Sequence, residues 1–374
     1  MGWPVNVINI MWAGGSPFVS VHKVHQQILS LVPPDISVNS WLLQGHGAAC
    51  APGATREWNL PQRLIKGRHV WGLLQPWLRA RLRKALLEAD ADALLLDGVG
   101  VSRLILPVLK GLPEVKATVV FHGKTRLHPS DVALLRGFKP AQLSLVAVSA
   151  TLAASLQAEL GLKVTALRTA LEPTRFCAEQ LTAQQARQVM GLREPGVRIM
   201  GAVGRLVMDK GFDYLIDAFA DASRAQPDLR LVILGEGPER PLLQQKIQAL
   251  GLQGKVSLTG HCDILECLYQ AFDWLLVPSR AEGLGLVLQE AVIAGVPVLC
   301  SDLPVFHEQL GDSGLYARVG DVQEWAAAIE RCASLPATAV AQAQYRSLAP
   351  EQAWECFSRT LREMWAVKPD SGSQ

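Results

Sequence analysis

The stretch "AEGLGLVLQEAVIAGVPVLCSD", from Ala281 to Asp302, decides the fold of this chain. It contains a loop with two close glycines, an apolar segment of helix length and a short apolar run, "VPVLCS". Such runs are typical of strands in a parallel sheet that helices cover on both faces. Two carboxylates stand out, Glu282 in the loop and Glu290 in the helix. Because open parallel sheets bind ligands where strands turn into helices, the stretch predicts a ligand site as well as an α/β fold.

Apolar runs of strand length alternate with amphipathic helix-length segments in both directions from this stretch. In the first half the strand candidates are Val5 to Ile10, Ala93 to Asp97, Ala117 to His122 and Ser144 to Ser149. In the second half they are Arg198 to Gly204, Leu229 to Gly235, Lys255 to Gly260, Asp273 to Ser279 and Val296 to Ser301. Since 374 residues exceed one ordinary core, the alternation predicts two Rossmann-like domains facing a cleft.

A polar, proline-containing segment near the middle of the chain marks the predicted domain boundary. We expect a first domain over residues 1–171, a linker around Leu171 to Gln180, and a second domain over residues 180–350. The closing segment, about 351–367, reads as a helix that packs back on the first domain.

The net charge of +2 is unevenly distributed. Residues 1–175 carry 19 Lys and Arg against 10 Asp and Glu, whereas the remainder carries 17 against 24. The segment 62–84 has seven basic residues, Trp71, Trp77 and no acidic residue. Basic residues interleaved with aromatics suit an anionic lipid surface or an anionic acceptor, and an ordinary solvated helix face explains them equally well.

The sequence has no run of about 18 apolar residues without charge and begins without a basic n-region. We therefore expect a cytoplasmic protein, with peripheral contact at the inner face of the cytoplasmic membrane through residues 62–84. The seven cysteines lack paired zinc-type spacing, so we expect them to be reduced and to hold no metal. No nucleic-acid partner is expected.

Two cations follow the first strand of the second domain, in "GRLVMDKG" from Gly204 to Gly211. Arg205 comes directly after the strand, and Lys210 precedes the next helix. Backbone N–H groups at a helix start favour an anion, and an Arg fork and a Lys point charge can both hold phosphate oxygens. The pair indicates a phosphate site, although either cation alone would read as the cap of a surface loop.

The glycines of the opening stretch let backbone N–H groups approach a ligand closely at Gly283 and Gly285. Glu290 would face back toward the two cations, where its carboxylate can accept two hydrogen bonds from a cis-diol such as ribose. Glu282 would reach another part of the same ligand. Taken alone, Glu290 would read as an exposed helix glutamate. The loop "TGHCDILECL", which contains His261, could lie against a base.

These residues resemble the retaining glycosyltransferases of family four, which have the GT-B fold. The family's E-G-x-G-x-x-x-x-E-A stretch is matched from Glu282 to Ala291, and its G-R…K-G pattern by residues 204–211. The resemblance implies a nucleotide-diphosphate sugar as donor substrate, with no cofactor and no metal. Arg205 and Lys210 would hold its pyrophosphate, Glu290 its ribose and Glu282 the hydroxyls of the transferred sugar. Backbone groups of the glycine loop would support sugar and phosphate at Gly283, Leu284, Gly285 and Leu286.

The resemblance is weaker in the first half. "WAGGSP" is similar to the family's glycine loop and implies ligand contacts at Gly14 and Gly15; "VVFHGK" implies that His122 contacts the sugar and the site of attack. The family's Asn-Gly-Val-Asp linker is replaced by "RTALEPTRF", to which we assign no chemistry. "DAD" at residues 90–92 has the metal-chelating spacing of another glycosyltransferase fold, but it precedes a strand, so we expect no metal there.

The sequence therefore predicts a retaining, metal-independent hexosyltransferase. It would move a sugar from a UDP-sugar to an anionic glycolipid or glycan, with lipopolysaccharide core or another cell-envelope polysaccharide as the first choice. The second domain would bind the donor and the first domain the acceptor. Three alternatives stay open: a nucleotide-sugar epimerase of the same fold, a non-catalytic nucleotide-sugar-binding protein, and a dehydrogenase. The dehydrogenase has only incomplete glycine fingerprints, "GEGPER" and "GVGVSR", in its favour.

Overall fold

A computed structural model describes residues 6–13, 19–46, 53–65 and 69–365, with the backbone alone for residues 19 and 69–71. The chain divides into two compact units. One comprises Met1–Thr169 with Cys356–Gln374, and the other comprises Ala170–Glu355. The sequence prediction placed the division between residues 171 and 180 and the return to the first domain at about residue 351.

The first unit is built on a parallel sheet of seven strands. These are β1 (Asn6–Ala13), β2 (Ser37–Gln44), β3 (Thr55–Glu57), β4 (Ala93–Asp97), β5 (Lys116–Phe121), β6 (Leu143–Ala147) and β7 (Thr165–Ala166). Their order is β3-β2-β1-β4-β5-β6-β7. The helices are α1 (Val19–Ser30), α2 (Gln62–Ile65), α3 (Gln75–Glu88), α4 (Gly98–Leu109), α5 (Pro129–Arg136) and α6 (Ala150–Leu160). β1 is central, and Val7, Ile8, Ile10 and Met11 are fully buried because both faces of the strand are covered.

The second unit is built on a parallel sheet of six strands. These are β8 (Arg198–Val203), β9 (Leu229–Leu234), β10 (Val256–Gly260), β11 (Trp274–Val277), β12 (Val298–Ser301) and β13 (Leu315–Ala317), in the order β10-β9-β8-β11-β12-β13. The helices that precede and accompany it are α7 (Pro173–Ala178), α8 (Ala183–Val189), α9 (Phe212–Ala225), α10 (Arg240–Ala249), α11 (Leu286–Ile293), α12 (Pro304–Leu310), α13 (Val322–Ser334) and α14 (Ala337–Leu348). The last helix is α15 (Pro350–Trp365). Its residues up to Glu355 belong to the second unit, and those from Cys356 belong to the first.

Each of the nine strands predicted from the sequence overlaps an observed strand, and the α/β prediction is confirmed. The sequence missed β2, β3, β7 and β13. β2 reads "SVNSWLLQ", with polar residues inside the run, and the other three are edge strands of two or three residues. The predicted linker contains a helix, α7, because Glu172 caps it by accepting hydrogen bonds from the backbone of Thr174 and Arg175.

Candidate functional site

Two cations follow β8, an inner strand of the second sheet. Arg205 comes two residues after the strand and is exposed. Within the described part of the chain, no acidic side chain pairs with its guanidinium. Lys210 ends a 3-10 turn, Met208–Lys210, and Gly211, with a φ of +69°, is the N-cap of α9. The structure thus places both cations at the carboxyl edge of the sheet, where the sequence predicted them.

Lys210 meets Glu282 in this structure. Its ammonium donates a hydrogen bond to Glu282 Oε1, which also accepts one from Ser279 Oγ at 2.8 Å. The side chains of Lys210 and Glu282 are 26% and 10% exposed, so the pair is largely shielded from water. Because β8 and β11 are neighbours, their exit loops bring the two residues together. A phosphate bound by Lys210 would have to compete with Glu282 for the ammonium group.

Arg280 ties the two exit loops together. Its backbone N–H donates to the carbonyl of Asp209 at 2.7 Å, and its Nη1 donates to the carbonyl of Met208 at 2.8 Å. The guanidinium also holds both carboxylate oxygens of Asp213, at 2.7 and 2.8 Å. Burial alone would raise the pKa of Asp213, but the fork of Arg280 holds that pKa below its ordinary value. The turn that carries Lys210 is therefore fixed against the loop that carries Glu282.

Glu290 lies inside α11 and is only 2% exposed, which rules out an exposed helix glutamate. The Tyr269 hydroxyl, which is also fully buried, donates a hydrogen bond to its carboxylate. Burial and the negative charge of Glu290 raise the pKa of Tyr269 well above its ordinary value. The tyrosine therefore remains a hydrogen-bond donor at neutral pH, and it holds one side of the carboxylate in place.

The glycine loop before α11 is shaped by its packing against α12. Gly285 has a φ of +84°, and a Cβ there would lie 2.6 Å from the Phe306 ring, so only glycine fits. The Leu284 carbonyl accepts a hydrogen bond from the buried Gln309 amide at 2.5 Å. Leu284 and Leu286 are themselves buried. Since an α-helix leaves its first N–H groups without acceptors in the helix, the start of α11 offers donors to a ligand.

A second polar cluster lies in the first unit, at the carboxyl ends of β4 and β5. His122 follows β5, and its Nε2 lies 3.1 Å from Nε2 of His25 and 3.5 Å from Oδ1 of Asp97. His25 is fully buried, with its Nδ1 at 2.7 Å from Oδ1 of Asn9. Burial lowers the pKa of both histidines, more than Asp97 raises that of His122. Both imidazoles are therefore neutral near pH 7.

The same cluster brings together three residues of types that bind metal ions. His25, Asp97 and His122 offer ligand atoms that lie within 4.8 Å of one another. However, a histidine that ligates a metal through Nε2 normally donates its other N–H to a partner, and His122 Nδ1 is buried without one among the described residues. The three residues therefore do not make a complete metal site, and the metal-free reaction stays a prediction. The "DAD" segment lies at the opposite edge of the sheet, where Asp92 accepts the backbone N–H of Asn6 at 3.0 Å.

Three predicted contacts remain: Gly14, Gly15 and His261. Gly14 and Gly15 lie outside the described residues. His261 follows β10, is exposed, and has its Nε2 at 3.1 Å from Oδ1 of Asp263. The sequence reasoning missed the side chains that position the predicted ones: Asn9, His25, Asp97, Tyr269, Ser279 and Arg280. Only Asp97 had a readable signal, because it ends the predicted strand "ALLLD".

Comparison with known proteins agrees with this geometry. Residues 187–347 match the family model described as "Glycosyl transferases group 1". The chain is 28% identical over 296 residues to the 2-deoxystreptamine glucosyltransferase of Streptomyces kanamyceticus, covering 72% of this chain and 76% of that one. It is 30% identical over 175 residues to the lipopolysaccharide core biosynthesis glycosyltransferase LpsE of Rhizobium meliloti, covering 46% and 50%. Anabaena Alr3699/HepE, solved in complex with UDP and glucose, has a similar fold, with a TM-score of 0.74 and 20% identity over 96% and 98% of the chains.

Residues 187–347 thus match the group 1 glycosyl transferases, and the chain is a glycosyltransferase with the GT-B fold. The sequence prediction of a glycosyltransferase with the GT-B fold is confirmed. Arg205, Lys210, Glu282 and Glu290 all lie inside the matched region. Among the described helices, none has the length and apolar character needed to cross a bilayer.

Proposed function

We propose that this glycosyltransferase moves a sugar from a UDP-sugar to an anionic glycolipid or glycan acceptor, with retention at the anomeric carbon and without a metal ion. The observation that carries the proposal is the group of side chains at the carboxyl edge of the second sheet. There the exposed Arg205 guanidinium and the Lys210–Glu282 pair follow the neighbouring strands β8 and β11, and the buried Glu290 lies in α11, the helix after the Glu282 loop. The complexes of Alr3699/HepE with UDP and with UDP-glucose support the choice of donor.

Each group has a role in this reaction. As the bond between the anomeric carbon and the diphosphate breaks, negative charge develops on the diphosphate while the sugar becomes oxocarbenium-like. Arg205, Lys210 and the start of α11 are fixed positive groups for that charge, and each cation contributes about 3 kcal/mol to lowering the barrier. Glu290 binds the ribose diol. Once Lys210 binds the diphosphate instead of Glu282, the Glu282 carboxylate binds hydroxyls of the sugar.

Retention follows if the acceptor attacks from the face that the diphosphate leaves. The acceptor oxygen bonds to the anomeric carbon, and its proton passes to the departing diphosphate. Glu282 is the obvious carboxylate for a covalent intermediate, but its hydrogen bonds with Lys210 and Ser279 suit a group that binds rather than attacks.

A thermal-shift panel tests the donor site. UDP, GDP, ADP, CMP and NAD are compared with and without magnesium, on the wild-type protein and on Glu290→Ala. At a ligand concentration 100 times the dissociation constant, stabilisation is about 2.7 kcal/mol. We expect UDP to stabilise the protein without magnesium and the variant to lose this effect. Stabilisation only with magnesium would contradict the metal-free site, and stabilisation by NAD instead would favour the dehydrogenase.

The anomeric configuration of the product tests the reaction itself. Proton NMR of the product formed with a lipopolysaccharide-core acceptor distinguishes retention from inversion. Turnover of the UDP-sugar to an isomeric UDP-sugar without acceptor would identify an epimerase. Tight UDP binding with neither transfer, isomerisation nor hydrolysis would identify a non-catalytic binding protein.

A surface of the first unit supports an acceptor at an anionic membrane. Around the start of α3, Leu73 and Trp77 expose 82% and 58% of their surface, and Arg81 and Arg83 are exposed on the same helix. The Arg81 guanidinium lies over the rings of Trp58 and Trp77, at 5.2 and 5.8 Å from their centroids. Exposed apolar and aromatic side chains flanked by arginines suit the interface of an anionic bilayer. Lys66 and Arg68 of the predicted basic segment lie outside the described residues.

Vesicle sedimentation tests this surface. We expect salt-sensitive binding to vesicles that contain phosphatidylglycerol and no binding to neutral phosphatidylcholine vesicles. Exchanging Arg81 and Arg83 for glutamine should weaken binding roughly 30-fold, at about 1 kcal/mol for each basic residue near the surface. A matched pair with the same loss of charge, Lys116→Gln with Lys139→Gln, serves as control, because both lysines are exposed elsewhere on this unit. Equal effects of the two pairs would refute a specific surface.

A further inference from the structure

The contacts of Arg280 converge on the turn before α9 and on the first turn of that helix. Its backbone N–H and its Nη1 donate to the carbonyls of Asp209 and Met208, at 2.7 and 2.8 Å. Its guanidinium also holds Oδ1 and Oδ2 of Asp213, at 2.7 and 2.8 Å. Because Lys210 lies between these anchored residues, the position of its backbone is set from both sides. The glycosyltransferase reaction as proposed gives no role to Arg280 or Asp213.

The packing around these contacts leaves the turn little freedom. Gly211 lies against the carbonyl of Pro278, and a Cβ on the glycine would overlap that oxygen. The Tyr214 hydroxyl donates to the same carbonyl. The guanidinium carbon of Arg280 lies 4.9 Å from the centroid of the Tyr214 ring, as in a cation–π contact. The exit loops of β8 and β11 are therefore packed directly on each other.

The guanidinium of Arg280 is committed to Asp213 rather than open to a phosphate. Both of its Nη atoms donate to that carboxylate, which also balances its charge. The two side chains are 30% and 31% exposed, and an ion pair with this much contact to water contributes little to stability. The pair lies directly behind the turn that carries Lys210, a residue of the proposed diphosphate site. Its place in the fold therefore suits a role in positioning better than a role in holding the domain together.

We infer that Arg280, held by Asp213, is a positioning residue for the diphosphate: it fixes the turn that carries Lys210, so that the ammonium group meets the diphosphate from one defined position. The stem of a lysine is flexible, so a fixed backbone reduces the conformational freedom that the side chain loses when it binds a ligand. A cation also stabilises developing charge best when it is in place beforehand. The role at the diphosphate rests on the proposed function, whereas the anchoring of the turn does not.

Hydrogen–deuterium exchange on the full chain tests the anchoring without a ligand. Asp213→Asn keeps the size of the side chain but weakens the fork with Arg280. Peptides that cover the turn before α9 should then exchange roughly fivefold faster or more, the factor by which one lost hydrogen bond shifts a local opening equilibrium. The control is Asp273→Asn, which weakens the pair with Arg187 at the other end of β11, where the side chains are 36% and 30% exposed. Unchanged exchange in Asp213→Asn, or equal acceleration of the turn by both variants, would overturn the inference.

Binding of UDP to Asp213→Asn tests the positioning, because charge and position predict opposite results. If only charge matters, removing a carboxylate near a phosphate site strengthens the binding of an anion. Positioning predicts the reverse: the dissociation constant of UDP should rise roughly fivefold or more, up to the factor of about 30 expected when Lys210 contributes nothing. The affinity for uridine, which has no phosphate, should stay unchanged in an NMR titration. An equal or tighter UDP complex, or an equal loss for uridine, would overturn the positioning role.

Arg280→Lys is a second variant, in which the charge is unchanged. A lysine has no planar fork, so it cannot hold both oxygens of Asp213 together with the carbonyl of Met208. This variant should also loosen the turn and weaken the binding of UDP. The double variant with Asp213→Asn should bind UDP no more weakly than the weaker single variant, because both act through one contact, and additive losses would overturn the shared role. If UDP does not bind the wild-type protein, the proposed function fails instead, and the exchange rates still decide whether the turn is anchored.

Discussion

Replacing Lys210 with methionine removes the charge that we assign to the diphosphate and keeps the length of the side chain. In the free protein Lys210 is paired with Glu282, so its net contribution to UDP binding is that of a charge-assisted hydrogen bond, about 2 kcal/mol. The dissociation constant should then rise about 30-fold. At 100 times the wild-type constant, stabilisation by UDP should fall from about 2.7 to about 0.9 kcal/mol. For a domain of this size, the thermal shift would drop from roughly 5–11 °C to roughly 2–4 °C.

A matched control is available in the same unit. Lys246 of α10 pairs with Asp217, and the two side chains are 32% and 35% exposed. Lys246→Met therefore removes a similar ion pair away from the site, and we expect it to keep the full shift with UDP. Differential scanning fluorimetry on both variants, with and without UDP, makes the comparison. The reasoning is refuted if Lys210→Met keeps the wild-type shift, or if both variants lose it equally.

Three further predictions concern other residues of the two units. Arg205→Ala should change the free energy of unfolding by no more than about 0.5 kcal/mol and lower kcat roughly 100-fold. Arg193→Ala, a control at another exposed arginine, should leave both the free energy of unfolding and kcat unchanged. Urea unfolding and steady-state kinetics measure the two quantities. Tyr269→Phe should lower the free energy of unfolding by about 1–3 kcal/mol in urea, because it takes a donor from the buried Glu290 carboxylate, and an unchanged value would contradict that hydrogen bond. Because burial and two neighbouring imidazoles hold the pKa of His25 well below 6.5, the unfolded chain binds more protons below pH 6.5. Stability should therefore fall on acidification below that pH by up to about 1.4 kcal/mol per pH unit, with a smaller slope in His25→Gln.

The strands that the sequence predicted correctly are those whose apolar runs are continuous. "ALLLD" became β4 with the predicted ends, and "LRLVILG" became β9 with one residue fewer, because inner strands of a parallel sheet are buried on both faces. The sequence did not predict β2, because polar residues interrupt its run of apolar residues. Ser40 is one of them, and it lies inside the sheet as a hydrogen-bond partner of Asn9 rather than on the surface.

The positions of the candidate site residues were also readable, whereas their partners were not. Arg205, Lys210 and Glu282 follow strands of a parallel sheet, and local sequence suffices to place them at its carboxyl edge. Glu290 was ambiguous, since a glutamate within a helix is ordinarily exposed. Its burial depends on Tyr269, which the sequence offered no reason to select.

By itself, the sequence determined the alternation of strands and helices, the loops that carry the charged groups and the glycines that these loops require. These properties depend on local periodicity and backbone conformation. Only the tertiary structure decided which groups meet. Lys210 and Glu282 are 72 residues apart in the chain, and His25 and His122 are 97 apart. Such contacts arise from the order of strands in each sheet, and they decide how each buried polar group is satisfied, because such a group must use whatever packing brings beside it.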